Sequence, residues 1–197
     1  MRVVAPQCEI AIWLAACAGL RLGEVLGLTW NNFDAARNRL SVTQQLQNRE
    51  IRPVKTKASR ATLPIDPMLT QKLLDHRSNF PSAASGRSIK SFHGSRDHQE
   101  WVMVNSHGDP LTAKRFFAKW NVARSVTSIP SRTPFHSLRH FYITALTESG
   151  RYSLTTIQSL ARHGHIRSTL AYMRPIDSPD ERGVNVFSTA FSEQHYR

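Results

Sequence analysis

In the run FHSLRHFYITALTESG (135–150), His136, Arg139 and His140 stand three and four residues apart. On a helix those spacings put all three side chains on one face. That face is strongly cationic or proton-donating, which a helix packed in a core does not want. Two plainer readings compete. A histidine pair at i and i+4 can ligate zinc, but the metalloprotease pattern places Glu directly after the first His, and here Ser137 stands there. Alternatively His136 merely caps the helix and Arg139 is a solvated surface charge, the ordinary expectation for an isolated His-x-x-Arg. The rest of the chain decides between them.

The elements that must position these groups are readable in outline. Ile10 to Ala18 has the pattern of a mostly buried helix ended by Gly19, and LGEVLGLTW (22–30) continues at helical spacing, which puts Arg21 at a helix junction. NRLSVTQQLQ (38–47) and EIRPVKTKASRATLPI (50–65) predict strands, with a basic turn from Lys55 to Arg60. Asp66 and Pro67 suit the N-cap and first position of a helix through Phe80, and the polar stretch from Pro81 to Glu100 predicts a surface loop or linker. WVMV (101–104) predicts a short strand. Thr112 suits the N-cap of a helix with Phe116, Phe117 and Trp120 inward. After the FHSLRH helix ends near Gly150, two short helical segments broken at Gly164 are expected, stopped by Pro175. The last twenty residues form a tail with an aromatic-apolar patch at Phe187 and Phe191.

Composition narrows the function class. The 197 residues, 40% of them hydrophobic, suffice for one packed domain and exclude a disordered chain. Lys and Arg number 26 against 14 Asp and Glu, a net charge of +12, so the natural partner is a polyanion, with nucleic acid ahead of an anionic membrane surface. Cys8 and Cys17 have neither the spacing nor the company for a metal site or a disulfide framework, which fits a reducing cytoplasm. LAAC (14–17) matches a lipoprotein-type cleavage pattern, but only Ile10 to Leu14 precede Ala15 as an apolar run, too short for a signal peptide. No stretch approaches the length of a membrane span.

Four segments together resemble the catalytic domain of the tyrosine recombinases, the phage-integrase family, over roughly Ile10 to Pro175. AGLRLGEVLGLTW resembles the first arginine box, which implies a catalytic Arg21 and a supporting Glu24. KTKASRATLPI resembles the hairpin with the catalytic lysine; Lys55 is preferred and Lys57 is the alternative. HSLRH is similar to the His-x-x-Arg box, which implies His136 and Arg139 as catalytic and His140 as supporting. ARHGHIRSTLAY resembles the segment in which a histidine precedes the nucleophilic tyrosine by nine residues, the spacing of His163 and Tyr172. Any one box occurs by chance; four in the right order are specific. The fold implied is α+β, mainly helical with a small antiparallel sheet, covering residues 1–175, with 176–197 as a tail that could pack in trans.

The implied chemistry is coherent without the family name. Attack on a DNA phosphodiester builds negative charge that two guanidinium forks, Arg21 and Arg139, can meet in advance. A phenol with a reference pKa of about 10 needs that positive cluster or a proton acceptor, and His136 or His163 could serve. A hairpin lysine can protonate the departing 5′ oxygen. Neither metal nor nucleotide is implied. The resemblance further implies double-stranded DNA as partner, a tetramer on DNA and accessory DNA-bending proteins.

Each residue also has an unremarkable reading. Arg21 and Glu24 alone would be a helix-face ion pair worth about 0.2–0.5 kcal/mol. The lysines would be turn charges, and Tyr172 a core aromatic such as Tyr142 and Tyr152 are taken to be. Two departures stand out: Ala161-Arg162-His163 replaces the usual Leu-Gly-His, and the helical DNA-clamping domain that precedes this region in full recombinases has no counterpart before Ile10. A fragment, a truncated gene or a catalytic half working with a partner would each fit. The competing functions are type IB topoisomerase-like relaxation and a non-catalytic DNA-binding module.

Overall fold

A computed structural model describes residues 5–54, 57–82, 89–91, 96–97, 99–127, 129–130 and 132–173, with the backbone alone for 57, 90, 91, 96 and 97. Helix α1 (Pro6–Ala18) begins with proline in its first turn, where a missing N–H costs nothing. Its apolar residues run almost all round, so it is the central helix: Ile10, Ala11, Leu14 and Ala15 are at most 3% exposed, and α2 (Leu22–Leu26), α3 (Pro67–Asn79) and α5 (Ser137–Glu148) all pack on it. Gly19 ends α1 at φ +63, with its N–H on the Leu14 carbonyl. The Tyr142 ring of α5 lies directly against its Cα, so any side chain here would strike the ring as well as strain the backbone.

As expected, the β-rich part is small and mainly antiparallel; among the described residues it is divided into two sheets. In the first, β1 (Phe33–Asp34), β2 (Arg39–Val42) and β5 (Ala61–Pro64) pair antiparallel in the order β1-β2-β5. In the second, β3 (Gln44–Gln47) and β4 (Glu50–Pro53) form a hairpin whose two turn residues, Asn48 and Arg49, both have positive φ. Strand β6 (Ile89–Ser91) joins β4 in parallel, and β7 (Arg96–Asp97) pairs with β6. The run 38–47 is therefore divided at Thr43 between two sheets. Part of the stretch expected to be loop or linker, 81–100, supplies two strands.

Other expectations need correction. Residues 27–30 do not prolong α2, which stops after five residues and is followed by a 3-10 turn, Trp30–Asn32. WVMV is wholly buried yet forms no strand; single bridges tie Trp101 to Thr29 and Val104 to Pro110. In α4 (Ala113–Ser125), capped by the Thr112 hydroxyl, Phe116 and Trp120 are buried but Phe117 is 43% exposed, because adjacent helix positions point about 100° apart. Tyr152 is 46% exposed and so is no core aromatic. Helix α6 (Leu154–Ala161) ends at Arg162, two residues before Gly164, and α7 (Arg167–Leu170) follows. The Asp66 cap of α3 and the end of α5 before Gly150 stand as expected. The tail, with Phe187 and Phe191, lies outside the described residues.

A large core links α1, both sheets, α3 and residues 101–104, while Ile143, Ile157 and Ala161 form a second, small cluster between α5 and α6, against which Tyr142 and Tyr172 pack. Helix α2 packs on β3 so closely that a Cβ at Gly27 would stand 2.8 Å from backbone atoms of Gln45 and Leu46. Backbone cannot yield as a side-chain tip can. Gly27→Ala is therefore expected to cost about 1–3 kcal/mol of unfolding free energy, read by urea titration.

Candidate active site

Arg21 is the N-cap of α2, with extended backbone (φ −75°, ψ 153°). Glu24, one turn on, reaches back: Oε2 accepts the Arg21 backbone N–H at 2.8 Å and Oε1 accepts Nη1 at 2.8 Å. The pair is more than a helix-face contact, because Glu24 is only 3% exposed and has a second cation. Arg162 Nη2 donates to Glu24 Oε2 at 2.9 Å and to the Gly19 carbonyl at 2.9 Å.

Arg162 is the residue that sequence reasoning missed. It stands where the resembled family usually has glycine, and its φ of +56 is the left-handed conformation that glycine adopts without strain. Its side chain turns inward and is fully buried, and among the described residues its Nε and Nη1 find no partner. The one available signal was a non-glycine residue in a turn that favours glycine. Its partners, 138 and 143 positions away, carry no mark of it.

Arg139 comes from the first turn of α5 and is 2% exposed. Its Nη1 donates to the Gly19 carbonyl and its Nη2 to the Ala161 carbonyl. Burial first, then the nearby Arg21 and Arg162 charges, lowers its pKa to about 10, so it remains a cation at neutral pH. Three guanidinium groups thus surround one carboxylate. The excess positive charge in a partly desolvated place favours an anion. A cavity of about 490 Å³ opens there, with Arg21, Glu24, Arg162 and His163 on one side and Gln45 and Asn48 of the β3–β4 hairpin on the other.

Three imidazoles and one phenol complete the arrangement. His136 is the residue before α5, yet its side chain accepts no capping bond, and burial followed by the His140 and Arg139 charges lowers its pKa. His163 holds its Nδ1 3.0 Å from the buried Thr169 hydroxyl. Burial, then Arg139, Arg21 and Arg162, depress its pKa to about 4, so it is a neutral imidazole in ordinary buffers. Tyr172 follows α7, its ring nearly parallel to His163 at 6.1 Å and 5.2 Å from His140. Its hydroxyl is 2.7 Å from His140 Nδ1. Its pKa is raised by burial, with Arg139 pulling the other way, so the phenolate is not preformed.

Of the residues singled out from sequence, the fold brings together Arg21, Glu24, His136, Arg139, His140, His163 and Tyr172. The imidazole bonded to the tyrosine hydroxyl is His140, neither His136 nor His163. Lys55 lies outside the described residues. Lys57 begins a 3-10 turn, Lys57–Ser59, whose Ser59 borders the same cavity.

The helices and two small sheets, with a β-hairpin between α2 and α3, have the order of a tyrosine recombinase catalytic-domain fold. The sequence pattern of the Phage integrase family matches residues 7–178, and the chain belongs to that family. Among curated relatives, it is 28% identical to a "Tyrosine recombinase XerC-like" of Caldanaerobacter subterraneus subsp. tengcongensis, over 79% of this chain and 42% of that protein. It is 27% identical to a "Tyrosine recombinase XerD" of Lacticaseibacillus casei, over 81% of this chain and 47% of that one. The chain thus spans less than half the length of these relatives. The fold matches the Tn1549 transposon integrase bound to transposon right end DNA, with TM-score 0.69 and 21% identity over 94% of this chain and 59% of that one. It also matches the XerH site-specific recombinase bound to difH substrate, with TM-score 0.62 and 14% identity over 95% of this chain and 48% of that one. Among the described residues no helix is long and apolar enough to cross a membrane.

Proposed function

We propose that the chain is the DNA-cleaving part of a site-specific recombinase, joining DNA strands through a 3′-phosphotyrosine intermediate without metal or ATP. The observation that carries this is the Tyr172 hydroxyl, hydrogen-bonded to an imidazole and within reach of the charge of Arg139, which stands with Arg21 and Arg162 in one guanidinium cluster. Tyr172 attacks phosphorus. Arg21, whose side chain is 38% exposed, meets the nonbridging oxygens directly. Arg139 adds charge from behind and contacts phosphate once it exchanges a carbonyl for an oxygen of the substrate. His136 and the neutral His163 supply hydrogen bonds, Glu24 fixes Arg21, and Lys55 protonates the leaving 5′ oxygen, with Lys57 the alternative. The relatives' names favour recombination over topoisomerase-like relaxation, and a pure DNA binder would need the charge but not the placed tyrosine. Duplex DNA is the partner, and a tetramer on DNA, helped by DNA-bending proteins, is the working assembly. The free Cys8 and Cys17 accord with a cytoplasmic setting.

The test is covalent capture: the chain incubated with nicked duplex DNA is expected to yield a denaturant-stable protein–DNA adduct, whereas a pure binder yields none. Binding by phosphate contacts also predicts steep loss of affinity with salt, checked by gel shifts at two ionic strengths. A salt-independent affinity would remove the charge from the binding surface. The lysines separate by leaving group. Lys55→Ala is expected to slow cleavage by about 10²–10⁴-fold. Replacing the bridging 5′ oxygen by sulfur should rescue it, since a thiolate departs without a proton. Rescue of Lys57→Ala instead would move the role two residues along.

A further inference from the structure

We propose that His140 is the catalytic base that removes the proton from Tyr172, a role that rests on the DNA-cleaving reading and deepens it. The argument is positional. Among the described residues, His140 Nδ1 is the hydrogen-bond partner of the Tyr172 hydroxyl, at 2.7 Å, within the ordinary O–H···N range. His163 faces the same phenol ring but lies nearly parallel to it, with Nδ1 engaged by Thr169. His136 meets the ring of His140 edge on, at 4.9 Å between centroids, and among the described residues makes no hydrogen bond to the phenol.

Exposure also separates His140 from the half-buried His163, though not from His136, which is exposed as well. His140 is exposed to solvent while its Nδ1 holds the phenol, so an imidazolium formed there is hydrated and can pass its proton on. His163 is held neutral by burial and by Arg139, Arg21 and Arg162, with a pKa near 4, and such a group is a poor proton acceptor. The rigidity of α5 sets the distance, because His140 is one turn into a twelve-residue helix whose first turn also carries Arg139. Base and phosphate-facing charge are therefore positioned by one element.

The proton balance closes. Neutral His140, with hydrogen on Nε2, accepts the Tyr172 proton at Nδ1 as the Oη–P bond forms. The P–O5′ bond breaks and the departing oxygen takes a proton from the hairpin lysine. On rejoining, the 5′ hydroxyl attacks phosphorus and returns its proton to the lysine, while the tyrosine oxygen leaves and recovers its proton from Nδ1.

Asparagine separates a base from a mere anchor, because its side-chain oxygen can stand near the place of Nδ1 and accept a hydrogen bond but does not take a proton. With nicked duplex DNA of randomised sequence, His140→Asn and His140→Ala are both expected to form the covalent adduct about 10²-fold more slowly or worse. A bridging 5′ sulfur is expected to leave both defects in place, since the fault lies with the nucleophile. Adduct formation by His140→Asn within threefold of the unaltered chain would reduce His140 to an anchor and overturn the proposal. So would restoration by sulfur, which would make His140 the acid for the leaving group. A second measurement needs no cleavage: in 15N NMR of the DNA-free chain, Tyr172→Phe should shift His140 Nδ1 and leave His163 Nδ1 in place. An unmoved His140 signal would overturn the contact itself. If the contact is present but the unaltered chain forms no adduct, the DNA-cleaving reading fails and the role of His140 falls with it.

Discussion

Tyr172→Phe is expected to abolish the covalent protein–DNA adduct while leaving duplex affinity within about twofold. The substitution removes one hydroxyl and no charge, and the phosphate-facing guanidinium groups stay where they are. The hydrogen bond that is lost joins Tyr172 to an exposed histidine, so folding stability should change by no more than about 0.5–1.5 kcal/mol. Denaturing gels report the adduct, gel shifts the affinity and urea titration the stability. Tyr142→Phe is the control: that ring packs against Gly19 and keeps its place without its hydroxyl, so the adduct should persist. An adduct that survives Tyr172→Phe would transfer the nucleophile elsewhere and undo the site assignment.

The largest effect on stability is expected from Glu24→Gln. Glu24 is 3% exposed and is the shared counter-charge of Arg21 and of the fully buried Arg162. An amide preserves the shape but leaves Arg162 as a buried cation without an opposite charge. Removing one member of a buried pair costs about 3–5 kcal/mol, to be read from the midpoint and slope of a urea titration. Arg162→Gly should soften the loss, since it removes the unpaired cation and suits the left-handed backbone. The two changes together should therefore cost less than their sum, by about 0.5–3 kcal/mol. A loss below about 1 kcal/mol for Glu24→Gln would mean that Arg162 finds its compensation elsewhere.

What was legible in the sequence followed from local rules. Asp66-Pro67 and Thr112 marked helix starts because capping is decided within three residues, and Gly19 marked a helix end for the same reason. The residues of the proposed site were legible as spaced boxes, each short enough to keep its own geometry. Contacts between boxes were not. The His140–Tyr172 bond spans 32 positions, and nothing in the nine-residue interval from His163 to Tyr172 says which imidazole the hydroxyl will meet. Strands β6 and β7 were hidden because segments of three and two residues are too short to display an alternating pattern. Arg162 was legible only as an oddity, since a charged residue beyond a helix end normally faces water.

The Gly19 carbonyl accepts bonds from Arg139 and Arg162, 120 and 143 positions further along the chain. A nascent chain that has made only its first helices has this acceptor but neither donor. Contacts of such long sequence separation carry a large loop-closure cost and tend to form late in folding. The guanidinium cluster is thereby a coincidence detector: it assembles only when the amino-terminal helices, α5 and the segment after α6 have all docked. A chain interrupted during synthesis, or clipped between α5 and α6, carries the charges of the cluster without its assembled arrangement.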